Sequence, residues 1–227
     1  MRLAFGTFVD PLAEMYGWSN GSIGLAYAIQ FAASAAFSPV AGWMGDVYGT
    51  RRTLLLGVVL FSAGIMLTGT MNSLWEFYLY YGVIVGAALA VFMVLLVSAV
   101  SYWFKTQQGL AIGLLMASFG VGPVLAAPLI VFVINRFGWG TAMVVAGLGS
   151  GLMMLGLIAR FYGKPSDKGD RPYGALTSDP VEIPADRAKL NAESKAFFNR
   201  ARGTFNFWNL VNIHFLGCVG HSIIIVF

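Results

Sequence analysis

Asp46, Arg51 and Arg52 are the residues best placed to do chemistry in the first half of this chain. They sit in Gly42-Trp-Met-Gly45-Asp46-Val-Tyr-Gly49-Thr-Arg51-Arg52, a polar stretch between two long runs that carry no charge. Where water is scarce, a carboxylate and two guanidinium groups need partners. An acid at the start of the following helix is also favoured by the helix dipole. Glycines at 42, 45 and 49 permit a tight turn and close backbone approach. A plainer reading stands beside this one: a stop-transfer turn whose arginines only mark a side of the membrane. His214 and His221 fall on one face of the last apolar run, with Asn212 nearby. Imidazole titrates near neutral pH, and an ionisable group in a membrane helix is a functional candidate. Each histidine is equally able to satisfy a backbone carbonyl. Two histidines without a third ligand do not make a metal site, and no metal or cofactor is expected. Gly109, Gly113, Gly120 and Gly122, followed by Pro123 and Pro128, suit either close helix packing or a pliable helix.

The elements that must carry these residues are membrane helices. Of 227 residues, 58% are hydrophobic and 11% charged, with a mean hydropathy of +0.74. Soluble domains carry about 25% charged residues. The charges also cluster, 14 of the 24 falling between Lys164 and Arg202. The pattern predicts an all-α membrane protein. A first helix, residues 1–12, is too short to span; a crossing takes roughly 20 apolar residues. Spans are expected at 22–41, 53–70, 77–103, 109–134 and 140–162. Residues 1–162 then form a six-helix bundle with a truncated first helix. Residues 163–204 hold four of the eight prolines and read as a solvated linker, with a surface helix over 185–202. Residues 205–227 begin a further span, the start of a seventh helix.

Alternating crossings place the 42–52 and 104–108 turns and the 163–204 linker on one side. That side holds Arg51, Arg52, Lys105, Arg160 and eight basic residues of the linker, against Arg136 alone on the other. The basic side is predicted to be cytoplasmic, in a multi-pass protein of the plasma or inner membrane. The net charge of +4 comes with no nucleic-acid-binding module, so nucleic acid is not an expected partner. The single Cys218 excludes an intrachain disulfide. The absence of a nucleophile–base pair or an HExxH-type site argues against an enzyme.

The Gly-x-x-x-Asp-x-x-Gly-x-Arg-Arg pattern at the end of a second span resembles the signature loop of the major facilitator superfamily. By that resemblance, Asp46 and Arg51 latch two half-bundles and gate the outward-open state, and Gly42 and Gly49 are packing positions. The basic residues usual after the aspartate and after the second glycine are Val47 and Thr50 here, which implies a weaker latch. Phe5-Gly-Thr-Phe-Val-Asp-Pro-Leu12 and Tyr16-Gly-Trp-Ser19 are similar to the first-span exit of monocarboxylate-porter and oxalate–formate-antiporter-like members. So are Tyr102-Trp-Phe104 with Gly109-Leu-Ala-Ile-Gly113, and Arg136-Phe-Gly-Trp139. An arginine common in the fourth span of proton-coupled members has Gly82 in its place. The resemblance supports a pliable helix at 109–134 and makes Arg2, in the first-span remnant, a candidate for attracting an anion.

The function implied is secondary active transport of a small organic anion, a monocarboxylate first. It would run by rocking of two halves about a midplane site, coupled to protons or a counter-anion. Sugar or drug transport, or a non-transporting sensor of the same fold, are the alternatives. A sugar site would want a midplane rich in Asn and Gln, and the interior of the first six spans offers only Gln30. The expected partners are the substrate, the lipid bilayer, and either a missing C-terminal half or a second copy. The chain is expected to be a fragment, a homodimerising half or an incomplete gene product.

Overall fold

The computed structural model describes residues 6–176 and 196–226. Arg2 lies outside them, as does the 185–195 part of the expected surface helix. The side chains of Pro123, His214 and His221 are likewise outside the description. The chain divides into two compact units, residues 1–182 and 183–227.

The first unit is built from α1 (Gly6–Tyr16), α2 (Asn20–Tyr48), α3 (Thr50–Thr68), α4 (Leu74–Phe77), a π-helical stretch (Tyr78–Ile84), α5 (Val85–Trp103), α6 (Gln108–Phe137) and α7 (Trp139–Ala159). Among the described residues, five helical runs are long and apolar enough to cross a membrane: α2, α3, the continuous Leu74–Trp103 run, α6 and α7. This is an integral membrane protein of all-α class, and α1 is too short to span. In the second unit, residues 196–201 are helical (α8), followed by α9 (Phe205–Val226).

Local chemistry fixes the helix ends. Ser19 caps α2, its Oγ accepting from Ser22 N–H at 3.2 Å. Ser73 and Glu76 form a capping box at α4, and Glu76 Oε2 also accepts from Asn72 N–H at 2.6 Å. The Tyr16 ring stacks on Trp18 with centroids 4.5 Å apart, and its hydroxyl donates to Met71 O at 3.1 Å. These contacts fasten the end of α1 to the α3–α4 turn.

Two apolar clusters hold the helices together. One gathers Leu12, Ile23, Phe61, Phe77, Val85 and Trp139 among its members. The other joins Ala41, Leu54, Val58, Val91, Leu95 and Ile158 toward the Asp46 end. Between α3 and α7 the backbones nearly touch. A Cβ at Gly69 would lie 2.7 Å from Gly140 O, and one at Gly140 would lie 2.8 Å from Gly69 O. Small residues permit this approach, which substitutes for the hydrophobic drive that lipid removes.

Three expectations need correction. The 42–52 turn is helical through Tyr48, so Gly42, Gly45 and Asp46 belong to α2, and the chain reverses at Gly49 alone (φ 87°, ψ 148°). Nothing between Ala41 and Tyr48 breaks a helix, and only Gly49 adopts a backbone that needs glycine. The turn at Asn135–Trp139 collapses in the same way onto Gly138 (φ 82°, ψ 166°). The linker is not free from residue 163 onward. Residues 162–176 fold back onto the α5–α6 turn, which is why the first compact unit runs past 162.

Candidate functional site

The α2–α3 junction is built on contacts that only its residue types allow. A Cβ at Gly45 would run into the Leu95 side chain, so glycine there lets α2 lie against α5; at Gly42 the nearest atom, Val94 Cγ1, is 3.6 Å away. Beyond Gly49, the buried Thr53 hydroxyl lies 3.1 Å from both Met44 O and Gly49 O. It ties the end of α2 to the first turn of α3. Thr50 is buried, and a Cβ on Gly163 would fall 2.7 Å from Thr50 Cβ, so the chain leaving α7 passes directly over the junction.

Arg51 reaches from this junction to α7. Its Nη2 donates to Ala159 O at 2.8 Å. The last carbonyls of a helix have no partner within it, and they carry the negative end of its dipole. A guanidinium is therefore a well-matched cap. Asp46 and Arg52 are exposed, and among the described residues neither forms an ion pair. The structure thus brings Gly45, Gly49 and Arg51 into one packed junction. It leaves Asp46 on the surface at the same end, not bonded to Arg51.

A second set of contacts surrounds the α5–α6 turn. Trp103 Nε1 donates to Tyr162 O at 3.0 Å. Tyr173 N–H donates to Trp103 O at 2.7 Å, and Lys105 N–H donates to Tyr173 O at 2.9 Å. These make an isolated parallel bridge between Phe104 and Tyr173, whose rings stack at 5.4 Å. Lys164 Nζ stands 4.5 Å above the Tyr102 ring. Lys168 pairs with Asp170 at 2.9 Å on the exposed surface, and that carboxylate holds the ammonium above the ordinary lysine range. The sequence offered no signal for this fold-back beyond aromatic residues that also suit a membrane boundary.

The remaining candidates are placed but not gathered. Gly113, Gly120 and Gly122 lie on α6, where a Cβ would meet nothing within 4 Å, and Pro128 is exposed. The helix runs unbroken from Gln108 to Phe137. His214 and His221 lie on α9. Among the described residues, no three His, Cys, Asp or Glu side chains cluster as a metal site would need. Sequence reasoning missed the π-helical stretch, the tyrosine-rich Tyr78–Ile84.

The first unit is thus a bundle of apolar helices long enough to cross a membrane, with an acid–glycine–arginine junction at the end of the second. The family model described as Major Facilitator Superfamily matches residues 1–227, and the chain belongs to that superfamily. It is similar to monocarboxylate transporter 11 of Mus musculus, 28% identical over 87% of this chain and 41% of the relative. It is also similar to the oxalate:formate antiporter of Oxalobacter formigenes, 26% identical over 74% of this chain and 40% of the relative. A third relative is a probable chloroplastic anion transporter 3 of Oryza sativa subsp. japonica, 29% identical over 73% of this chain and 32% of the relative. The chain spans between 32% and 41% of the length of these relatives.

Proposed function

We propose that this chain is the first half-bundle of a secondary active transporter for a small organic anion, a monocarboxylate by preference, working by alternating access. The observation that carries the reading is the division of labour at the α2–α3 junction. Arg51 is committed to its own bundle, on Ala159 O. Asp46, at the same end, is exposed and among the described residues forms no ion pair. A latch between two halves needs one group that holds the junction rigid and one that is free to engage across the gap. Arg51 and Asp46 fit those two roles. The relatives, named for monocarboxylates, oxalate and formate, and anions, support the substrate class.

In this reading Asp46 meets the second half-bundle, or a second copy of this chain, when the basic end is closed. That end is cytoplasmic, because it carries Arg51, Arg52, Lys105, Arg160 and Lys164, and the membrane is the plasma or inner membrane. Coupling is to protons or to a counter-anion, with His214 and His221 as the titratable groups on α9 and Arg2 as a cation for the substrate. Gly113, Gly120, Gly122, Pro123 and Pro128 give α6 its pliability. The test is uptake of labelled lactate, pyruvate and oxalate into vesicles bearing the full-length gene product. Saturable uptake of one of them supports the reading, and uptake of none overturns it.

A further inference from the structure

Residues 196–208 join two helices through a short, closely bonded elbow. As α8 ends, Arg202 N–H donates to Phe198 O at 3.0 Å and Gly203 N–H donates to Arg200 O at 3.2 Å. The Thr204 hydroxyl donates to Ala201 O at 2.8 Å, and the same oxygen accepts from Phe207 N–H at 3.4 Å. One side chain thus closes α8 and caps α9. From inside α9, Trp208 Nε1 reaches back to Arg202 O at 2.7 Å. The Phe207 and Trp208 rings meet edge to face, 5.5 Å apart.

The surface of this elbow does not suit water. Phe197 is 73% exposed and Phe205 81%, with Phe198 and Trp208 exposed beside them in the chain. Exposed apolar surface of this kind marks contact with a partner or a membrane. Two observations favour the membrane. Past Trp208, the exposed Leu210, Val211, Ile213, Phe215 and Leu216 are spread around α9 rather than along one face. A tryptophan at the start of such a run suits the headgroup level. The charge is the second observation: residues 196–227 hold Arg200 and Arg202 and no acid. Both arginines are exposed, and among the described residues neither forms an ion pair. Phe197 precedes Arg200, and Phe198 precedes Arg202, by about one helical turn, so a ring and a guanidinium are neighbours twice over. A headgroup offers places for both, the acyl boundary for the ring and phosphate for the planar fork.

We propose that the α8–α9 elbow is a docking surface for anionic phospholipid. Arg200 and Arg202 hold headgroup phosphates while Phe197, Phe198, Phe205 and Trp208 enter the acyl boundary. In the transporter reading above, α9 enters the membrane from the cytoplasmic side, where the leaflet carries anionic lipid. The proposal rests on that reading for its sidedness and on nothing about the substrate. Because Trp208 bonds Arg202 O, lipid that holds the arginines also fixes the start of α9.

The experiment uses the full-length protein in nanodiscs of phosphatidylcholine alone and of phosphatidylcholine mixed with phosphatidylglycerol. It reads amide hydrogen exchange over residues 196–208. Exchange in the parent should be slower in the anionic bilayer, by about fivefold for each arginine engaged. Arg200→Gln with Arg202→Gln should abolish the difference between the bilayers. Arg200→Lys with Arg202→Lys should keep most of it, because the charges remain. A parent that exchanges equally in both bilayers, as it would if protein covered the elbow, overturns the proposal. A difference that survives loss of both charges overturns it too. The parent comparison needs no variant, so it decides even where a double substitution fails to fold. Absence of carboxylate uptake would sink the transport reading and leave the exchange result standing.

Discussion

Replacing Gly49 by alanine isolates what the reversal between α2 and α3 demands. At φ 87° and ψ 148° the backbone lies in a region open essentially to glycine alone, and a Cβ there costs about 1–3 kcal/mol. No heavy atom lies within 4 Å of the position that Cβ would take, so the cost is backbone strain without a clash. Alanine also narrows the unfolded ensemble, which returns about 0.4–1 kcal/mol, leaving a net loss of about 1–2 kcal/mol. Gly113→Ala is the control. It too meets nothing within 4 Å, but it sits inside α6, where alanine exceeds glycine in helix propensity by about 0.8–1 kcal/mol. Reversible unfolding of the full-length protein in mixed micelles should therefore move in opposite directions for the two variants, about 2–3 kcal/mol apart. Equal shifts, or a Gly49→Ala protein as stable as the parent, would refute the single-residue reversal.

The other contacts give sharper but smaller tests. Arg51→Ala should cost about 1.5–3 kcal/mol, the range for a hydrogen bond to a charged group, while Arg51→Lys should recover part of it because the ammonium still reaches the α7 dipole; thermal unfolding in detergent checks both. Gly140→Val forces apart backbones that meet at Gly69 and should cost about 1–3 kcal/mol by overpacking; an unchanged melting curve would contradict the α3–α7 seam. Tyr173→Ala removes the ring stacked on Phe104 but keeps both backbone bonds of the bridge, so limited proteolysis within 163–176 should accelerate only modestly. Tyr173→Pro also removes the N–H that bonds Trp103 O and should accelerate it far more.

The sequence made the helices legible wherever composition decides. Within residues 1–162, apolar runs bounded by charge predict five spans and a short first helix, and among the described residues five runs long and apolar enough to cross and a short α1 are present there. Boundaries were less legible, because helices continue past the lipid until something stops them. Gly42, Gly45 and Asp46 looked like a turn by polarity, but polarity does not end a helix; Gly49 does, by its positive φ. The fold-back of Tyr173 onto Phe104 is a tertiary contact between segments that each look solvated, and no local periodicity announces it. Gln30 stood out as the lone amide inside the first six spans. The π stretch left no trace in Tyr78-Leu-Tyr-Tyr-Gly82, because register in a helix is settled by neighbours. At the junction, residue types pointed to Asp46 and Arg51 together, whereas only geometry separates the arginine bonded to α7 from the exposed acid.

The most direct test of the transporter reading is equilibrium exchange of a labelled carboxylate across proteoliposomes containing the full-length protein, parent and Asp46→Asn side by side. The account predicts saturable exchange by the parent. The Asp46→Asn protein should keep normal stability, because among the described residues Asp46 makes no side-chain bond, and should exchange more slowly with little change in substrate affinity. No saturable exchange by the parent, or full-rate exchange by Asp46→Asn, would contradict it.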